Sequence, residues 1–201
     1  MIELLGLPGC GKSTFAAKKE YAGYANPLQM SIYNSWRIIQ NVNKVGPILY
    51  YLFSHPRKSQ EILCVLNQFE FRCSRIKMYV YLFSVIGVID KHIKTYGREN
   101  LIIDEGVCQV IWALLYLSQD SNCKADTLWS LLEYLRGDEI IYFDIDLTLI
   151  KKRLKERKTR GGSELQHDLK NDEGCLQKAS QDMNSLLSIM KKHAIKIKVL
   201  H

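Results

Sequence analysis

Residues 6–13 read GLPGCGKS, a complete G-x-x-x-x-G-K-[ST] pattern, and the chemistry that this spacing serves is the gripping of phosphate. Gly6, Gly9 and Gly11 allow positive backbone dihedrals, so successive N–H groups turn inward as a nest for anionic oxygens. Pro8 and Cys10 complete the loop wall, Lys12 reaches the terminal phosphates of a bound nucleotide, and Ser13, followed by Thr14, offers a hydroxyl to Mg²⁺. A second chemical group is the acidic pair in LIIDEG at 101–106. Asp104 is the site acid, holding Mg²⁺ through water or accepting a hydroxyl proton. Side chains alternate along a strand, so only one of Asp104 and Glu105 is expected to face the phosphates. A plainer role for Asp104 is to cap the next helix. The third group is Arg153 and Arg157, four apart and therefore on one helical face, with Arg160 beyond them. Such a pair suits neutralisation of charge on a phosphoryl group in transit.

The elements that must carry these groups alternate between strand and helix. An apolar strand at 2–5 runs into the loop, and a helix is expected over 13–24. Further strands are read at 101–104, 140–145 and 195–200, with helices at 107–117, from Asp126 to Gly137, from Asp146 to about 157 and over 176–190. Strands alternating with helices imply a parallel sheet covered on both faces. Residues 31–96 read as helical, with breaks at Gly46-Pro47, at His55-Pro56 and near 75–79. Ile62, Val65, Leu66, Phe69, Cys73, Ile76 and Val80 recur at three and four and mark one buried face. Residues 161–174 are polar and read as a mobile loop.

With 201 residues, 47% of them apolar and 24% charged, the chain suits one domain with a full core and does not suit a disordered protein. No apolar run is long enough for a membrane span. The strand reaching the phosphate loop from Met1 leaves no room for a leader, which predicts a cytoplasmic protein. The six cysteines lack metal-ligand or disulfide spacing. Cys10 stands apart, because a thiol inside an anion nest can react with electrophiles. The net charge of +7 favours polyanionic ligands. Seven of the ten residues at 151–160 are basic. That run also fits a solvated helix face, with Lys151 and Lys155 on the flank opposite the arginines. It lacks the interleaved aromatic residues of a nucleic-acid patch.

Taken together, GLPGCGKST, the strand ending at Asp104 and FDIDLTLIKKRLKER at 143–157 resemble the P-loop nucleoside and nucleotide kinases, thymidylate kinase-like proteins in particular. The resemblance implies a three-layer fold with a five-stranded parallel sheet. It also implies ATP on the loop, Mg²⁺ held by Ser13 and Asp104, a lid at about 153–174 carrying Arg153 and Arg157, and a helical acceptor-side region at about 31–96. Arg72 and Arg75 become candidates for holding the acceptor. Members of that family usually follow the acid with arginine, and here Glu105 replaces it, which brings an uncharged hydroxyl acceptor into contention beside a phosphate. The expected partners are ATP and a small-molecule acceptor, with a homodimer left open by Trp36, Trp112, Trp129 and the tyrosine-rich helices. The competing class is an ATPase using Asp104–Glu105 for hydrolysis to drive a conformational switch. A GTPase fits less well, since Asn43-Lys44-Val45-Gly46 lacks the final Asp of N-K-x-D.

Overall fold

Consecutive buried residues in a strand show that both of its faces are covered. In the computed structural model, which describes residues 1–21, 23–28, 37–118, 122–156 and 164–201, that is the state of β1 (Ile2–Leu5), where Glu3, Leu4 and Leu5 are all buried. It pairs in parallel with β2 (Ile102–Ile103) on one side and β3 (Glu139–Phe143) on the other. β4 (Ile197–Leu200) extends the sheet to the order β2-β1-β3-β4. The described residues hold four strands against the five that the resemblance implied. At the β2 edge Ala25 makes a single parallel bridge to Leu101, and Pro27, which has no N–H to donate, follows two residues later.

The helices are α1 (Lys12–Ala16), α2 (Arg37–Ser54), α3 (Pro56–Asn67), α4 (Arg75–Tyr96), α5 (Val107–Leu117), α6 (Asn122–Leu132), α7 (Leu147–Glu156), α8 (Glu164–Asn171) and α9 (Glu173–Lys192). None in the described residues is long and apolar enough to cross a membrane. α5 is apolar on every side but for Gln109 and is buried from Val107 to Tyr116; its Trp112 indole N–H donates to the Ala179 carbonyl of α9 at 3.0 Å. Trp112 and Trp129 are both core residues.

Several local expectations are corrected. The helix after the loop stops at Ala16, because Phe15 folds back on Tyr21 and Phe143, with ring centroids 5.1 and 5.3 Å away. α2 runs through Gly46-Pro47 without breaking. The missing hydrogen bond costs about 3 kcal/mol, and tertiary packing offsets it: α2 lies so close to α4 that a Cβ on Gly87 would overlap the Pro47 carbonyl. The single buried face read over 62–80 is instead two, since α3 ends at Asn67 and α4 starts at Arg75; the break expected near 75–79 falls at 68–74, and α4 runs through 75–79 unbroken. Ile62, Val65, Leu66 and Phe69 are buried, whereas Ile76 is 72% exposed. Asp126 lies inside α6 and caps nothing. It pairs with Lys192 and His193 at the end of α9, and the hydrogen bonds from these two side chains hold its carboxyl below the usual range. Residues 164–171, expected in a loop, form α8, whose Leu169 is buried. Asp146 caps α7 as expected, accepting from Thr148 N at 2.8 Å.

One carboxylate ties the strand ends together. Glu3 is completely enclosed and accepts hydrogen bonds from Cys108 N in the first turn of α5, at 2.6 Å, and from Gly137 N before β3, at 3.0 Å. Gly106 and Gly137 leave the room, since a Cβ on either would run into the Glu3 side chain. Burial pushes the Glu3 carboxyl above its ordinary value, with the Gly137 and Cys108 amides and the Arg136 charge pulling it part of the way back.

Glu3→Ala orphans two buried N–H groups and should lower stability by about 2–5 kcal/mol, measured by urea denaturation. Because the folded-state pKa is raised, the stabilisation that Glu3 supplies is fullest below its unfolded value and declines as the pH rises through the folded one. The deficit of the variant should therefore be larger at about pH 4 than at about pH 8. A deficit that grows with pH would contradict this reading.

Candidate active site

β1 delivers the chain into the phosphate loop in a left-handed turn. Gly9 has φ 92° and Gly11 φ 107°, which side chains rarely adopt. Gly9 has a second reason to lack a Cβ, which would sit 3.3 Å from Leu154 Cγ of α7. The helix carrying the basic run is thus seated directly on the loop. Arg153 Nη1 donates to the Gly9 and Cys10 carbonyls, at 3.4 and 3.3 Å. Lys12 lays its ammonium over the same loop, on the Gly6 carbonyl, with the Leu7 carbonyl at 3.5 Å and Cys10 Sγ at 3.9 Å. Cys10, singled out in the sequence for reactivity, is 3% exposed; its sulfur fills the space that a Gly6 Cβ would need, so electrophiles lack a path to it.

The parallel register sets Ile2 beside Ile102 and Glu3 beside Ile103, so the chain leaves β2 alongside the loop. There Ser13 Oγ donates to Asp104 Oδ2 at 3.3 Å, and Asn26 Nδ2 donates to Asp104 Oδ1 at 2.8 Å. A cleft of about 100 Å³ is lined by Pro8, Gly9, Gly11, Lys12, Ser13, Thr14, Asp104, Glu105 and Gln109. That is room for phosphate groups and an ion, below the 300–1,000 Å³ or so of a site enclosing a whole ligand. Both acids line it, against the expectation that only one would. β2 ends at Ile103, so Asp104 and Glu105 lie in a bend where strand alternation no longer applies. Burial together with the charges of Glu105 and Asp104 pushes the Tyr81 phenol of α4 well above the usual range.

The donor set at Asp104 and Ser13, one carboxylate and one hydroxyl, fits Mg²⁺, which takes few protein oxygens and completes its shell with water and phosphate. No cluster of three or more His, Cys, Asp or Glu side chains is arranged for a metal among the described residues, and this ion does not require one. Arg157 and Arg160 lie outside the described residues. Arg72 and Arg75 do not line the cleft; Arg75 reaches the Phe69 carbonyl at 3.4 Å. On the other side of α7, Lys151 and Lys155, as their spacing predicted, and with them Lys152, face a separate hollow of about 530 Å³ against Glu173, Leu176 and Gln177 of α9.

Three contributors escaped the sequence reading. Asn26 carried no signal, being one polar residue before a proline. Glu3 did: a carboxylate inside a short apolar strand has to find donors. Gln109 did too, as the lone polar amide in VCQVIWALLYL directly after the acids.

No family model matches the sequence, and no curated protein matches it significantly. Solved structures do resemble it in fold. A deoxyadenosine kinase from M. mycoides with bound dATP is 16% identical, with 99% of this chain and 89% of that one covered at a TM-score of 0.53. The same enzyme with dCMP and dCDP bound is 16% identical, with 100% and 88% covered at 0.50. The fold of this chain is that of the P-loop kinases, and these neighbours are deoxyadenosine kinases rather than thymidylate kinases.

Proposed function

We propose that the protein is a P-loop kinase that transfers the γ-phosphoryl group of ATP to a hydroxyl of a small acceptor, a deoxynucleoside or a similar metabolite. The observation that carries this reading is the meeting of Ser13 with Asp104 at 3.3 Å over a complete phosphate loop on which Arg153 is already docked. Loop amides cradle the phosphates, and Lys12 exchanges the Gly6 and Leu7 carbonyls for phosphate oxygens. Ser13 and Asp104 would hold Mg²⁺, which would supply positive charge to offset that of the phosphates. Arg153 moves from the Gly9 and Cys10 carbonyls to the charge developing on the transferred group. Glu105 receives the proton of the attacking hydroxyl. The transition state of phosphoryl transfer is loose and asks little of a base, so positioning by Asp104 outweighs proton removal by Glu105.

The acceptor side supports a hydroxyl substrate. Glu105 stands where related kinases usually carry arginine, and with Asp104 it makes that side of the cleft anionic, which opposes a phosphate acceptor. The neighbours' bound dATP, dCMP and dCDP support the deoxynucleoside class. We further read the described part of 31–96 as the acceptor-side wall and about 153–174 as the lid, in one domain. A second reading, an ATPase that uses the Asp104–Glu105 pair for hydrolysis, is favoured by one observation only, the presence of Glu105 in the cleft.

γ-Labelled ATP incubated with a panel of deoxynucleosides should place label on an acceptor; label found solely in free phosphate would support the ATPase. Lys12→Ala should abolish turnover while leaving the melting temperature unchanged, and retained turnover would contradict the assignment. In steady-state kinetics Asp104→Asn should cost more than Glu105→Gln, with the opposite order expected of a hydrolase. Arg153→Ala should lower kcat by roughly 10²-fold with little change in ATP affinity. An unchanged kcat would leave it a residue that only braces the loop.

A further inference from the structure

α5 opens directly after the acid pair, and every side chain from Val107 to Tyr116 is buried. Among them Gln109 is the one amide. It is 5% exposed, it lines the phosphate cleft beside Asp104 and Glu105, and its Oε1 has no hydrogen-bond partner among the described residues. A buried carbonyl oxygen without a donor is rare and costly. An apolar residue of similar size would fill the same helix face without that cost, so the amide calls for a donor that arrives from the cleft.

The chemistry of that donor is constrained from three sides. Oε1 accepts only, so the incoming group must carry O–H or N–H. Asp104, Glu105 and the Tyr81 phenol are gathered close by, an environment that repels phosphate oxygens. The cleft also contains Lys12 and Ser13, so the donor sits close to the reacting phosphate. The attacking hydroxyl itself has one proton, which goes to the acid. Resting on the kinase reading above, we propose that Gln109 Oε1 accepts a hydrogen bond from a second hydroxyl of the acceptor, one carried near the attacking hydroxyl, as on the sugar of a nucleoside. Gln109 is then a specificity-determining residue that selects hydroxyl-rich acceptors over phosphorylated ones. Its position three residues past Gly106 is fixed by Glu3, which holds the adjacent Cys108 amide.

The test compares wild type with Gln109→Leu, using calorimetric titration of 2′-deoxyadenosine, 2′,3′-dideoxyadenosine and ATP, with melting of the ligand-free proteins alongside. Wild type should bind the deoxynucleoside about tenfold or more tighter than its dideoxy analogue, because a site built to bond a hydroxyl is left unpaired without it. The variant should lose that preference, keep the weaker affinity for the analogue, keep its ATP affinity, and melt at the same temperature or higher. Four results would overturn the proposal: a preference that survives in the variant, a parallel fall in ATP affinity, a lower melting temperature of the ligand-free variant, or a wild type that binds neither nucleoside. Failure of the kinase reading looks different. Both nucleosides would then bind with the expected preference while no label passes from ATP to either.

Discussion

Parallel pairing of β1 with β2 and β3 places the phosphate loop, the acid pair and the start of α7 at one end of the sheet, and Glu3 locks that arrangement from within. Its carboxylate spans the turn into α5 and the turn into β3, segments more than a hundred residues away in sequence. Ligands of open parallel sheets gather at the carboxyl ends of the strands because the loops diverge there and leave a crevice. In this chain the crevice is set by a buried carboxyl held by two backbone amides, with the Arg136 charge acting on it and glycines making room for it. The arrangement is costly, since burial alone raises the carboxyl's proton affinity. The site needs it nonetheless, because the same turn carries Asp104, Glu105 and Gln109.

Charge in the cleft is divided. Lys12 and Arg153 both rest on loop carbonyls, contacts that are easily exchanged for phosphate oxygens with the same geometry and more charge. Asp104 and Glu105 line the same cleft, and the buried Tyr81 phenol lies near enough to feel both of their charges. In the proposed reading, donor phosphates take the cationic groups and a neutral, hydroxyl-bearing acceptor meets the acids. α7 packs Leu154 against Gly9 while presenting Arg153 to the loop.

What the sequence made legible follows from locality. The loop, the strand entering it, the Asp146 cap and the separation of Arg153 from Lys151 and Lys155 all depend on residues within a few positions of one another. The parallel sheet followed from the alternation of elements, short of the fifth strand. What stayed hidden depends on distant partners. α2 continues through Pro47 because Gly87, forty residues on, lets it approach α4. Asp126 pairs with the end of α9 instead of capping α6. Glu105 faces the cleft because β2 is shorter than its apolar run suggests. Gln109 was the subtler omission, since its oddness is visible in the sequence but its orphaned oxygen appears only once the cleft is formed.

The central claim is that this loop, with Ser13 and Asp104, grips a nucleoside triphosphate through a metal ion. Calorimetric titration of ATP into the wild-type protein, with Mg²⁺ and then with a chelator, tests it most directly. The account predicts saturable one-to-one binding that weakens sharply when the metal is removed. Absence of binding at about 1 mM nucleotide, or binding indifferent to Mg²⁺, would contradict it.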